Sequence, residues 1–308
     1  MQVILAAPRG FCAGVNMAVE TLEAAVKKYG TPLFVYHEIV HNTWVVNDFR
    51  EKGVTFVDSL DDVPDGACLM YSAHGVSPEI RKQSQARNLR IIDATCPLVA
   101  RVHRQARQLV AQGYTILLIG HAGHDEIVGV RGEAPDAIHV LCSREEAEKV
   151  DIGPVQRVAY LTQTTLSTEE AADIVSVLKM RFPEIHEPLP SCICFATQNR
   201  QRAIQELSPR ADAVVVVGSP NSSNSRRLKE MAERHGVPAY LIDGVGELRP
   251  EWLEKVGCLL ITAGASAPER VVQEVVRFLV ETYHAEISTV ETCRETLEFR
   301  LPTDTNRI

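Results

Sequence analysis

Three cysteines stand at positions where chemistry is expected. Cys12 lies within Pro8-Arg9-Gly10-Phe11-Cys12-Ala13-Gly14, Cys96 follows Asp93-Ala94-Thr95 and precedes Pro97, and Cys194 precedes Phe195-Ala196-Thr197. Each third of the chain contributes one of them. Three thiolates are one ligand short of a closed four-cysteine zinc site, and none of these three has the paired spacing such sites use. Thiolates drawn from separate parts of a chain suit an iron–sulfur cluster, and with three of them one iron has no protein ligand. The alternative is that all three are small buried core residues. Cys192-Ile193-Cys194 forms a C-x-C, of which only one thiol is expected to face a cavity. The other cysteines are Cys68, Cys142, Cys258 and Cys293. Eight cysteines in a chain of 308 residues with no export signal read do not suggest a disulfide scaffold, and a reducing cytoplasm is expected.

A second group of residues could bind an anion or move protons. His41, His74 and His124 each neighbour small or polar residues, in His41-Asn42, Ser72-Ala73-His74-Gly75 and Gly120-His121-Ala122-Gly123-His124. With Thr164, Ser222, Ser223, Asn224 and Ser266 they would form a donor-rich, neutral-to-cationic cavity suited to a phosphate or diphosphate, although the chain has no Walker loop and no G-x-G-x-x-G. Glu126 is the one carboxylate at the end of the most concentrated polar loop that invites a proton-donor role; the alternative is an exposed loop acid. His37-Glu38-Ile39-Val40-His41 matches the zinc-protease pattern H-E-x-x-H, which requires both histidines on one face of a helix. Here it follows the strand-like run Pro32-Leu33-Phe34-Val35-Tyr36. His41 alone is therefore expected to point inward, with His37 incidental.

The elements that must position these residues alternate apolar strand runs with helical periodicity, the pattern of parallel α/β architecture. Strands are predicted at 3–7, 33–36, 68–72, 90–93, 115–119, 138–141, 158–161, 213–217, 239–242 and 258–262. Helices are predicted at 14–29, 43–52, 77–87, 98–112, 168–181, 198–207, 225–235 and 268–283. In such folds ligands bind beyond the carboxyl ends of the strands, which is where the cysteines and the polar strings fall. Comparing strand ends suggests a weak internal threefold and one shared cavity. No low-complexity linker separates the thirds, so boundaries are placed at the cysteine turns: 1–96, 97–193 and 194–283, with the tail 284–308 docking on the first.

Hydrophobic residues make up 45% and charged residues 23%, as in ordinary globular proteins, and no apolar run is long enough to span a bilayer. A formal charge of −8 argues against nucleic acid, which leaves a basic footprint. The arginine-rich stretch from Arg101 to Arg107 falls on a predicted helix and reads as a solvated face.

Taken together, Arg9-Gly10-Phe11-Cys12-Ala13-Gly14, Ser72-Ala73-His74-Gly75-Val76, Asp93-Ala94-Thr95-Cys96-Pro97, Gly120-His121-Ala122-Gly123-His124, Thr162-Gln163-Thr164-Thr165-Leu166-Ser167, Asn221-Ser222-Ser223-Asn224-Ser225 and Thr262-Ala263-Gly264-Ala265-Ser266 occur in an order and spacing that resembles the 4-hydroxy-3-methylbut-2-enyl diphosphate reductases of the non-mevalonate isoprenoid pathway. The resemblance covers nearly the whole chain, to Tyr283. Pro220 departs from it, standing where that family usually has lysine.

The resemblance implies three pseudo-symmetric α/β domains with mostly parallel sheets, arranged as a trefoil around a central [4Fe–4S] cluster held by Cys12, Cys96 and Cys194. It implies that the open fourth iron binds the substrate hydroxyl and that the products are isopentenyl and dimethylallyl diphosphate. His41, His74, Ser222, Ser223, Asn224 and Ser266 would hold the diphosphate, with His124 lining the pocket. Glu126 would be the proton donor and Thr164 its polar partner. A small redox protein of the ferredoxin or flavodoxin type would deliver electrons. The rival from another class is an iron–sulfur sensor or carrier, which would need no diphosphate pocket.

Overall fold

The structure is a computed structural model that describes residues 1–154, 157–188 and 190–302. In chain order its elements begin β1 (Gln2–Ala7), α1 (Ala13–Tyr29), β2 (Leu33–Tyr36), α2 (Thr43–Glu51), β3 (Val54–Val57), β4 (Cys68–Tyr71), α3 (Pro78–Ala86), β5 (Arg90–Asp93) and α4 (Pro97–Ala111). Then come β6 (Thr115–Ile119), α5 (Asp125–Arg131), β7 (Ile138–Leu141), α6 (Arg144–Lys149), β8 (Val158–Thr162) and α7 (Thr168–Arg181). The last are α8 (Phe195–Leu207), β9 (Ala213–Val217), α9 (Ser223–Arg234), β10 (Ala239–Ile242), β11 (Cys258–Ala263), α10 (Glu269–Tyr283) and β12 (Glu286–Glu291). The predicted α/β class holds, and every strand pairing in the sheets is parallel.

The chain divides into two compact units. The first comprises Met1–Asn16, His41–Asp48 and Phe195–Glu298. Its sheet has the order β10-β9-β11-β1-β12. Alternation along the strands feeds two cores. Val3, Leu5, Val215, Val217 and Ile261 pack on one face with Val271, Val275 and Leu279 of α10. Ile4, Ala6, Val214, Val216 and Leu260 pack on the other with Ile204 and Leu207 of α8 and Leu228 and Met231 of α9. Each such side chain taken wholly from water contributes about 1.5–3 kcal/mol before entropy is counted. That is why Ala213-Val214-Val215-Val216-Val217 forms the buried middle of the sheet.

One buried ion pair in this unit ties the Cys12 turn in place. Arg200 of α8 is fully buried; its guanidinium donates to the Glu295 carboxylate at 3.1 Å, to the Ala196 carbonyl at 2.9 Å and to the Gly10 carbonyl at 2.7 Å. Removing one partner of a buried pair leaves a stranded charge. Glu295→Ala is therefore expected to lower the free energy of unfolding by about 3 kcal/mol, read from urea melts. A change below about 1 kcal/mol would show the guanidinium to be satisfied without Glu295.

The second unit comprises Met17–Val40, Phe49–Cys194 and the described tail from Phe299. It has two sheets, β3-β2-β4-β5 and β7-β6-β8. In the latter, Ile116 and Leu118 face Val102, Ala106 and Leu109 of α4 and Ile127 and Val130 of α5. Leu117 and Ile119 face Ile174, Val177 and Leu178 of α7.

The structure adds elements that the periodicity did not reveal. Glu126, expected on a loop, lies in the first turn of α5. The stretch after Tyr283, expected to be only polar and mixed, contains β12, an exposed edge strand paired to β1 from Gln2↔Glu286 to Ala7↔Glu291. Farther along the tail, Leu301 and Pro302 line a surface groove with Thr21, Ala24 and Ala25 of α1 and Ile92 of β5.

Candidate active site

In the first unit, Cys12 lies between the end of β1 and the start of α1. Its N–H donates to the Ala265 carbonyl at 3.0 Å, and its own carbonyl accepts from Asn16 N–H in the first turn of the helix. Gly10 reaches this turn with φ +67°, and a Cβ there would lie 3.2 Å from the Ala267 carbonyl oxygen, so only glycine fits comfortably. Ser266, one residue beyond Ala265, donates its hydroxyl to the His41 carbonyl at 2.9 Å and lies 3.3 Å from the Ser222 hydroxyl. Ser222 caps α9, accepting from Ser225 N–H, and Ser223 and Asn224 follow in its first turn. All four of Ser222, Ser223, Asn224 and Ser266 are buried. Among the described residues, both amide atoms of Asn224 are enclosed without a hydrogen-bond partner. An unpaired buried amide costs about 1–3 kcal/mol, and a helix N-terminus favours negative charge, so this corner of the unit suits an anionic ligand.

Glycines at strand ends in each unit are closely surrounded by the chain's own side chains. A Cβ on Gly218 or Gly264 would overlap the Ser225 side chain, and one on Gly120 would overlap Ile127 and Gln163. Gly218 and Gly264 thus make room for the start of α9, and Gly120 for the first turn of α5 and for Gln163. Pro220 occupies an exposed turn ahead of α9.

In the second unit, Glu126 is only 2% exposed. Its two carboxylate oxygens accept from Thr164, one from the backbone N–H at 2.8 Å and one from the hydroxyl at 2.7 Å. These hydrogen bonds favour the anion, but burial outweighs them and pushes the carboxyl up to about 7. The same Thr164 accepts at its carbonyl from Cys194 N–H at 3.0 Å. His124 caps α5, its Nδ1 accepting from Glu126 N–H at 3.1 Å, and its ring meets that of His74 edge-on at 5.6 Å between centroids. Cys96 N–H donates to the carbonyl of Ala73, the residue before His74. Glu126, Thr164, His124, His74, Cys96 and Cys194 are thus joined within one unit. The first unit holds Cys12, His41, Ser222, Ser223, Asn224 and Ser266.

The thiols divide by environment. None of the eight cysteines is in a disulfide. Cys12, Cys96 and Cys194 are half-buried, and each directly precedes the first residue of a helix, α1, α4 or α8. The positive end of a helix stabilises a thiolate or an anionic group bound to it, so these donors fit an iron–sulfur cluster. Cys192 is fully buried, donates to Gln105 Oε1 at 3.6 Å, and its thiol is pushed up to about 11, chiefly by burial. One expectation needs adjustment, and the expectation that the H-E-x-x-H lies off a helix holds. Cys194 is preceded by bends, not by a strand, so the C-x-C is not in strand alternation. His37 and His41 lie on bends between β2 and α2, which denies the H-E-x-x-H its helix.

Sequence reasoning passed over Asp125 and Gln163. Gln163 is buried beside Thr164, accepting from His121 N–H and donating to Thr165. Asp125 lies between His124 and Glu126 and turns its carboxylate toward His74 and His37. Adjacency to the polar string was the only signal for either.

Comparison with known proteins places this arrangement in context. Residues 3–280 match the family model described as LytB protein. The chain is 53% identical over 302 residues to a 4-hydroxy-3-methylbut-2-enyl diphosphate reductase of Rhodopirellula baltica, covering 98% of this chain and 95% of that one. A solved structure of the E-1-hydroxy-2-methyl-but-2-enyl-4-diphosphate reductase of Plasmodium falciparum superposes with a TM-score of 0.96 at 38% identity, covering 98% of this chain and 95% of the other. A second solved structure, of an (E)-4-hydroxy-3-methyl-but-2-enyl diphosphate reductase, matches with a TM-score of 0.63 at 31% identity over 91% of this chain and all of that one.

Proposed function

Because the chain belongs to the LytB protein family and is an oxidoreductase of the 4-hydroxy-3-methylbut-2-enyl diphosphate reductase type, we propose that it removes the hydroxyl group of (E)-4-hydroxy-3-methylbut-2-enyl diphosphate to give isopentenyl and dimethylallyl diphosphate. The observation that carries this reading is Glu126, a buried carboxyl poised near pH 7 and gripped by Thr164.

Cys12, Cys96 and Cys194 are the residues proposed to hold a [4Fe–4S] cluster. Such a cluster, when bound, supplies electrons one at a time and an open iron that acts as a Lewis acid. The side chains supply the rest. Hydroxide is a poor leaving group, and a neutral carboxylic acid at Glu126 can give it a proton so that it departs as water. The Thr164 hydroxyl both donates and accepts, so it can hold either protonation state of Glu126 and pass a proton by turning its O–H. Ser222, Ser223, Asn224 and Ser266, at and beside the N-terminus of α9, are assigned to the diphosphate, with His41 and His74 as imidazole N–H donors. His124 is assigned to the pocket wall. Reduction would draw on a small ferredoxin- or flavodoxin-type protein. Among the described residues no helix is long and apolar enough to cross a membrane. The cytoplasm is the setting proposed for a chain whose cysteines are all free.

The test is anaerobic protein with reconstituted iron and sulfide, a chemical reductant and the hydroxylated diphosphate, with products identified. Formation of both isoprenoid diphosphates supports the reading. An intact cluster whose spectrum ignores the diphosphate and which makes neither product would point to the sensor or carrier instead.

His41 and His74 give a graded check. A charge-assisted hydrogen bond to phosphate contributes about 1.5–3 kcal/mol, so replacing either histidine with alanine should weaken diphosphate binding roughly ten- to hundredfold. Cluster content should stay at the parental level. Unchanged affinity in both variants would remove the histidines from the diphosphate site.

A further inference from the structure

His37 leaves β2 with φ 60°, a left-handed conformation uncommon outside glycine, though histidine, asparagine and aspartate adopt it more readily than other residues. Such backbone outliers persist only where the surroundings hold them, and they collect at functional sites. The surroundings here are two carboxylates. His37 Nδ1 lies 3.0 Å from Asp58 Oδ1, and His37 Nε2 lies 3.9 Å from Asp125 Oδ1. The other oxygen of Asp125 lies 3.8 Å from His74 Nδ1. The four side chains grade inward from water: Asp58 is 94% exposed, His37 28%, Asp125 21% and His74 15%. All belong to the second unit, and His74 in turn meets His124, which caps the helix bearing Glu126. The negative field along this route also reaches Tyr36, whose phenol is pushed up by burial first and then by Asp125 and Asp58.

We propose that Asp58, His37, Asp125 and His74 form a proton relay that feeds the active site from bulk solvent. The proposal rests on the reductase reading. Reductive loss of a hydroxyl group consumes two protons and two electrons: R–OH + 2e⁻ + 2H⁺ → R–H + H₂O. The electrons come from the external reductant, and the protons must come from water. A diphosphate lying against His74 would replace water over that ring and leave the Nδ1 side, facing Asp125, as the route in. Each imidazole accepts a proton on one nitrogen and releases one from the other, so no net charge stays behind. His37 takes a proton at Nδ1 on the Asp58 side and gives one from Nε2 to Asp125. Asp125 passes it to His74 Nδ1, and His74 releases one from Nε2. The spans of 3.8 and 3.9 Å would be closed by a modest side-chain rotation. Ser72 Oγ, 3.3 Å from His74 Nδ1, steadies the ring.

The test compares parent holoenzyme with His37→Asn and Asp125→Asn, using a reduced viologen dye and the hydroxylated diphosphate. Asparagine tolerates positive φ, so His37→Asn keeps the backbone while removing the proton carrier. The expected result is a kcat about tenfold lower in each variant, below the 10²–10⁴ of a group that itself donates to substrate. KM should stay within about twofold of the parent, because no substrate contact is lost. Millimolar imidazole should restore much of the rate to His37→Asn but not raise that of the parent. The double variant should be no slower than the slower single one, since a chain is broken once. Parental kcat in both variants, or losses matched by KM and indifferent to imidazole, would overturn the relay while leaving the reductase reading intact. A parent that makes no isoprenoid diphosphate would overturn that reading and the relay with it.

Discussion

Glu126→Gln is expected to keep its cluster and its affinity for the diphosphate while losing on the order of 10²–10⁴ in turnover. Glutamine preserves the size of the side chain and can still engage Thr164 through its carbonyl oxygen. It cannot release a proton to a departing hydroxyl group. Asp125→Asn, one residue earlier, should lose far less. The measurements are iron and sulfide content, the spectral change on adding diphosphate, and steady-state rate with a fixed reductant. Near-parental turnover of Glu126→Gln would place the acid elsewhere.

The same substitution has a signature independent of activity. With a native value near 7 and an ordinary value of 4.5, Glu126 binds more protons folded than unfolded between these limits. Stability therefore falls as pH rises from about 4.5 to 7, because the buried group must ionise against its desolvation cost. The loss amounts to about 3 kcal/mol once both states are ionised. Glu126→Gln should lack this slope and gain on the parent at pH 8. Parallel pH profiles for the two proteins would show that burial does not hold the acid neutral.

Serine at Cys12, Cys96 or Cys194 is expected to abolish stable cluster retention, while serine at Cys68, Cys142, Cys192, Cys258 or Cys293 leaves it. A hydroxyl stays protonated where a thiol gives up its proton to a metal. The three chosen cysteines share half-burial and a helix N-terminus. Burial pushes the thiol of Cys192 up to about 11 and raises those of Cys68 and Cys258, which resist ionisation. Iron and sulfide analysis of anaerobically purified variants decides the matter. A Cys192→Ser protein without cluster beside a Cys194→Ser protein that retains it would reverse the choice within the C-x-C.

Much of this protein was legible in its residues. Buried parallel strands such as Ala213–Val217 and Thr115–Ile119 are continuous apolar runs, because helices cover both faces, and such runs announce themselves. The strings carrying Cys12, His74, Cys96, Glu126, Thr164 and Ser222 could be read for the same local reason. Each joins a strand end or loop to a helix start, where glycine, proline and capping residues leave a signature within a few positions. The elements that escaped were those whose cause is remote. β12 is an exposed strand, Glu286-Ile287-Ser288-Thr289-Val290-Glu291, with no apolar run; it exists because β1, at the other end of the chain, offers it an unpaired ladder.

Residue types and local pattern determined the α/β class, most element positions and the candidate chemical groups. Tertiary structure decided which of those groups are poised. Glutamate at 126 is by itself an ordinary acid; its carboxyl is pushed up to about 7 because the surrounding core excludes water from it, against the hydrogen bonds from Thr164, thirty-eight residues on, which favour the anion. The Cys12 turn depends likewise on Arg200, which reaches the Gly10 carbonyl across 190 residues of chain. His37, which local pattern leaves without a role, stands between Asp58 and Asp125 in the fold. Local pattern reports hydrogen bonding and side-chain alternation over a few residues. Desolvation and charge pairing depend on what distant segments bring into contact, and those terms set the protonation states on which the chemistry rests.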